Sequence, residues 1–61
     1  STKPEKPKTA FLPGDTVHHK TFGDGMILSA SPMGNDTLLE IAFERVGTKK
    51  LMANFARLQK L

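Results

Sequence analysis

The stretch Thr37-Leu38-Leu39-Glu40-Ile41-Ala42-Phe43 decides the fold class. Leu39, Ile41 and Phe43 alternate with Glu40 and Ala42, a period of two that sets three large apolar side chains on one face of an extended strand. Working outward, Glu44-Arg45-Val46-Gly47 reads as a turn and Thr48-Lys49-Lys50-Leu51-Met52 as the next strand. On the other side, Pro32 to Asp36 is loop by composition, and Met26-Ile27-Leu28-Ser29-Ala30-Ser31 reads as a curved strand covered on both sides at one end. Phe22-Gly23-Asp24-Gly25 before it supplies two glycines for a tight hairpin turn. Pro13-Gly14-Asp15 is a further turn, leading into Thr16-Val17-His18-His19-Lys20, a strand with Val17 and His19 on one face. Towards the end, Ala53-Asn54-Phe55-Ala56 suits a single helical turn, and Arg57-Leu58-Gln59-Lys60-Leu61 closes the sheet with Leu58.

Five short strands joined by tight turns point to an all-β chain: a small, bent, five-stranded antiparallel barrel of the Src-homology-3-like or Tudor type, with one helical turn before the last strand. Closure removes exposed edges. The competing architecture is a three-stranded sheet carrying a helix over residues 49–61, because Leu51, Phe55 and Leu58 also fit a helical spacing. The expected core is Val17, Ile27, Leu39, Ile41, Phe43, Leu51, Phe55 and Leu58.

A chain of 61 residues has room for one small domain. At this size folding buries only about 60% of the surface that the unfolded chain exposes, which leaves little space for a deep catalytic site. No cysteine is present, so neither a disulfide scaffold nor a thiolate metal site is available. No apolar run approaches the roughly 18 residues of a membrane span, and no signal-peptide pattern opens the chain. A cytoplasmic, monomeric protein without membrane contact is expected. Residues 1–10 hold no large apolar side chain and read as a flexible linker, with a domain over residues 11–61. The formal charge of +3 divides unevenly. Lys3, Lys6 and Lys8 against Glu5 leave +2 in the linker, and six basic against five acidic residues leave +1 in the domain.

His18-His19 invites a metal reading, but adjacent strand residues face opposite ways and their rings cannot easily meet on one ion. The glycines at 23 and 25 lead into a strand, whereas a phosphate-cradling loop opens a helix. Glu40 and Glu44 would converge only on a helix, and Glu40 lies in the best strand. No catalytic, cofactor-binding or metal-binding residues are assigned. The densest charge in the domain is Lys49-Lys50, with Arg45, Arg57 and Lys60 expected nearby, which can be a solvated edge or a docking surface for acidic protein or nucleic-acid phosphate. Four Phe with no Tyr or Trp, most of them needed inside, argue against base stacking and against a methyl-lysine cage.

Residues 14–29 (GDTVHHKTFGDGMILS), 39–43 (LEIAF) and 47–61 (GTKKLMANFARLQKL) resemble the C-terminal Tudor-like domain of PcrA/UvrD-type superfamily 1 DNA helicases. The most specific parts are GDxVxHxxFGxG at the start and GxKKLxAxFAxLxKL at the end. Arg57 stands where the family usually has proline, and Phe22 where it often has tryptophan. The resemblance implies a five-stranded barrel that binds RNA polymerase, through its beta subunit, and brings a repair helicase to the transcription complex. It implies no enzymatic activity in this segment, since the ATPase and helicase motifs belong to the motor. Lys49, Lys50, Arg45 and Arg57 are the expected partner-binding residues, no cofactor is expected, and direct DNA contact through the basic patch is the alternative.

Overall fold

The computed structural model describes residues 11–61. The expected linker at residues 1–10 lies outside the described residues. In chain order the elements are β1 (Thr16–His19), β2 (Gly23–Met33), β3 (Asp36–Phe43), β4 (Gly47–Met52), α1 (Ala53–Ala56) and β5 (Gln59–Lys60). All pairings are antiparallel, in the order β4-β3-β2-β1-β5. The architecture is therefore mostly antiparallel β with five strands and one short helix. In that order β4 and β5 are the outer strands, so the hydrogen-bonded ladder among the described residues is open.

β3 lies between β2 and β4 and buries the alternating side chains: Leu39 and Ile41 are fully enclosed and Phe43 nearly so. Val17 of β1 and Ile27 of β2 complete the buried core. Phe11, Phe22, Ala30, Leu51, Ala53 and Leu58 pack half-buried around it.

β2 is longer at both ends than the sequence pattern indicates. The glycine pair expected to form a turn is already strand, with Gly23 opposite His19 and Gly25 opposite both Val17 and Phe43. Gly25 is required by space: a Cβ there would lie 2.8 Å from Cδ1 of Phe43, 2.9 Å from the Ala42 carbonyl oxygen and 2.9 Å from Cγ2 of Ile41. At the other end Pro32 pairs with Thr37 inside the strand. Proline is tolerated because β1 accompanies β2 only as far as Met26, which leaves the distal half of β2 a sheet edge with no ladder bond to lose on that side. The two-residue turn Gly34-Asn35 then has positive φ (62°) at its first position, the requirement of a II′ hairpin turn.

Within β2 the pairing steps from Ile27↔Ile41 to Ser29↔Glu40. Leu28 is the extra residue of a β-bulge, which moves the inward position from Ile27 to Ala30. The expectation of a strand covered on both sides is corrected here: Met26 and Leu28 are about half exposed on the outer face.

A helix over residues 49–61 is also overturned, because β4 runs to Met52 and only four helical residues follow. The helix stops at Arg57, whose φ of 53° and ψ of 50° are left-handed. A proline, fixed near φ −65°, could not take this conformation. Phe55, expected in the core, is 83% exposed. Ala53 and Ala56, three residues apart and so on one side of the turn, are the half-buried pair, which leaves Phe55 on the outer side.

Ile41→Ala or Phe43→Ala is expected to lower stability by about 2–5 kcal/mol, read from denaturant melts. Gly25→Ala should also destabilise, by about 1–3 kcal/mol, because one of the atoms it meets is backbone and cannot rotate away.

Candidate interaction surfaces

The β1–β2 hairpin and the core meet at His19. Its ring stacks on Phe22 with centroids 4.5 Å apart and meets Phe43 edge-on at 6.0 Å. Phe22 and Phe43 are 5.3 Å apart, closing a three-ring cluster. Nδ1 of His19 accepts hydrogen bonds from the backbone N–H groups of Thr21 (3.0 Å) and Phe22 (3.1 Å), which orders the hairpin loop. His18 faces the other way and its Nδ1 lies 2.7 Å from Oδ1 of Asp24. The two imidazoles thus diverge, and no group of three His, Asp or Glu converges among the described residues.

β4 presents the expected basic residues, on different faces. Lys49 lies opposite Ile41 and carries its ammonium 5.5 Å from the centre of the Phe22 ring, a cation–π distance at the rim of the aromatic cluster. Lys50 lies opposite Glu40, on the reverse face, where Oγ of Ser29 donates to the Glu40 carboxylate at 3.4 Å. Arg45, in the β3–β4 turn, runs over Gly23: a Cβ on that glycine would sit 3.3 Å from Cδ of Arg45. Arg45 and Lys49 therefore share the end of the molecule where Phe22 and Gly23 lie, while all three cations are exposed.

Arg57 is elsewhere. It lines an open groove of about 340 Å³ together with His18, Lys20 and Gln59, on the β1–β5 side of the sheet. Lys20 was not singled out by sequence, and its signal is the pairing His18↔Gln59, which carries residue 20 towards residue 57. Lys60 is engaged separately, with its ammonium 3.4 Å from Asp15 and 5.6 Å from the centre of the Phe11 ring.

The open five-stranded sheet with its short helix and peripheral cations defines a small antiparallel β domain. Residues 14–60 match the PcrA/UvrD tudor domain, and the chain belongs to that family. It is 41% identical over 54 residues to the ATP-dependent DNA helicase PcrA of Leuconostoc citreum, covering 88% of this chain and 7% of that protein. Against the PcrA helicases of Staphylococcus aureus (strain Mu50) and Staphylococcus epidermidis (strain RP62A) it is 35% identical over 60 residues, or 98% of this chain and 8% of each relative. The chain thus spans less than a tenth of the length of these curated relatives, and the region matched is the tudor domain rather than a helicase motor.

The two histidines are expected to hold opposite neutral tautomers. A carboxylate can only accept, so His18 carries its hydrogen on Nδ1, whereas His19 accepts at Nδ1 and carries its hydrogen on Nε2. Long-range 1H–15N spectra recorded with both rings neutral distinguish the two forms; the same tautomer at both positions would contradict the hairpin geometry.

Proposed function

We propose that the chain is a non-catalytic docking module of a bacterial ATP-dependent DNA helicase, and that it attaches the helicase to RNA polymerase, through the beta subunit, during transcription-coupled DNA repair. The observation that carries this reading is β4, an outer strand of the sheet with Lys49, Lys50 and the preceding Arg45 all exposed. An outer strand offers unpaired backbone N–H and C=O groups to an extended partner segment, and flanking cations favour an acidic one. Family membership supports the link to a helicase, since the relatives carry the name ATP-dependent DNA helicase. In this reading the module acts as a cytoplasmic monomer. It takes the domain as a Tudor-type barrel, a reading supported by the five antiparallel strands and by α1, which packs against β3 and β4 on the way from β4 to β5. Arg57 stands apart from this surface, on the β1–β5 side.

Neutralisation is the appropriate test, because glutamate at position 50 would face Glu40 directly and repel it. Lys49→Gln/Lys50→Gln is expected to weaken capture of the polymerase beta subunit roughly three- to tenfold, as for the loss of two rim charges. Melting should shift by less than about 1 kcal/mol. Unchanged capture by a folded double variant would remove β4 from the docking surface.

A further inference from the structure

We propose that the outer face of the sheet, along β2, docks an apolar, uncharged surface of the helicase motor joined to this chain, which rests on reading the chain as one module of a longer helicase but not on where polymerase binds. Strand alternation sends Met26 and Leu28 of β2 and Leu38 and Ala42 of β3 away from the buried row of Ile27, Leu39 and Ile41. Met26 lies opposite Ala42, and Leu38 opposite Met52 of β4. Met33, opposite Asp36, stands on the same face at the far end of β2, so all three methionines of the chain share it.

Met26, Leu28 and Met33 are each about half exposed, and a stripe of large apolar side chains therefore runs along β2 in solvent. Contiguous exposure of this kind marks a surface that something covers. The charged groups beside the stripe are balanced: Glu40 lies opposite Lys50 and accepts the hydroxyl hydrogen of Ser29. An uncharged apolar surface fits here better than a polyanion does, and the pliable thioethers adapt to its shape.

The path of the chain selects the occupant. The Gly14 N–H donates to the Ile27 carbonyl at 2.8 Å and the Ile27 N–H donates to the Asp15 carbonyl at 2.9 Å, so Gly14 and Asp15 together face one residue of β2 in a bulge. Gly14, at φ 92°, follows Pro13 in a turn that the Asp15 N–H closes on the Leu12 carbonyl at 3.0 Å. The chain thus joins the domain one turn away from Ile27 and Leu28, where a Cβ on Gly14 would meet nothing and the space is open. Residues 1–10 offer no large apolar side chain to the stripe, and ten residues span at most about 36 Å. The chain makes up less than a tenth of the length of its PcrA relatives, and in a parent of that length whatever is joined at residue 1 is held close to the stripe. At an effective concentration of about 1 mM, a contact with a Kd of only about 0.1 mM leaves the face open about a tenth of the time.

The test is the rate of methionine oxidation by hydrogen peroxide, read peptide by peptide by mass spectrometry in the parent helicase and in the 61-residue chain, whose cooperative melt is checked first. Met26 and Met33 should oxidise about tenfold more slowly in the parent. Inserting about 30 Gly and Ser residues between Lys6 and Pro7 of the parent lengthens the tether about fourfold and should raise the rate about fivefold, because effective concentration falls as the −3/2 power of length. Leu28→Lys in the parent should return Met26 to the rate of the isolated chain, as should Ala42→Glu on the neighbouring strand. Capture of the polymerase beta subunit by the isolated chain, measured alongside, reads docking at β4 alone: it can fail while Met26 stays protected, or succeed while Met26 oxidises equally in both proteins. Equal rates in the parent and the isolated chain, a rate indifferent to the longer tether, or protection that survives both substitutions would overturn the proposal. So would protection of the isolated chain that grows with its concentration, which indicates a second copy, or protection of the parent that appears only on adding the polymerase beta subunit.

Discussion

Gly25 sits opposite Phe43 with no room for a Cβ, and the rest of the structure depends on this close approach of β2 to β3. It lets the Phe43 ring lie down over the hairpin, where Phe22 and His19 pack against it. It also places Ile27 against Ile41, which together with Leu39 and Val17 makes a core closed to solvent. Because a one-residue slip would turn every inward side chain outward, the ladder has a single register up to Ile27. The bulge at Leu28 then changes that register by one residue, and Ala30 instead of Ser29 faces Leu39. A core of five buried residues serves a domain this small because the glycine lets two strands pack without a gap.

Around that core the charged groups are distributed by sheet position. Lys49 is drawn onto the aromatic cluster by the Phe22 ring, Lys50 is sent to the opposite face, and Arg45 spans the glycine at the start of β2. Lys60 is committed to Asp15 and Phe11. Lys20 and Arg57 share their groove with no acidic neighbour lining it. The two adjacent histidines divide similarly: His19 uses a ring nitrogen to hold the hairpin loop, and His18 pairs with Asp24 across the ladder. Nearly neutral in sum, the domain keeps its exposed cations in two places, along the outer strand β4 with the turn before it and at the groove beside β5.

The existence of five strands and most of the core were legible in the residues themselves. The alternation of Leu39, Ile41 and Phe43 is a local pattern, and a strand with one buried face writes it directly into the chain. The basic character of residues 45, 49 and 50 and their exposure were equally readable, as was family membership from two motifs near the ends of the domain. Phe55 was not: a large aromatic at a helical spacing looks like core, and only the packing of Ala53 on the core, with Ala56 half-buried on the same side, shows that the ring is left outside. The bulge at Leu28, the strand role of Gly25 and the tolerance of Pro32 were likewise hidden, since each depends on what lies across the ladder rather than along the chain.

The grouping of the cations shows the same division. By itself the sequence determined which residues are charged and which residues of β3 alternate inward, because these follow from side-chain chemistry and from a period of two residues. Tertiary structure alone decided that Arg57 leaves the company of Lys49 and Lys50 to join Lys20 at one groove, and that Phe55 stands in solvent. The physical reason is that an antiparallel register makes neighbours of residues far apart in sequence, here 18 with 59, through backbone hydrogen bonds that carry no signature in either residue's identity.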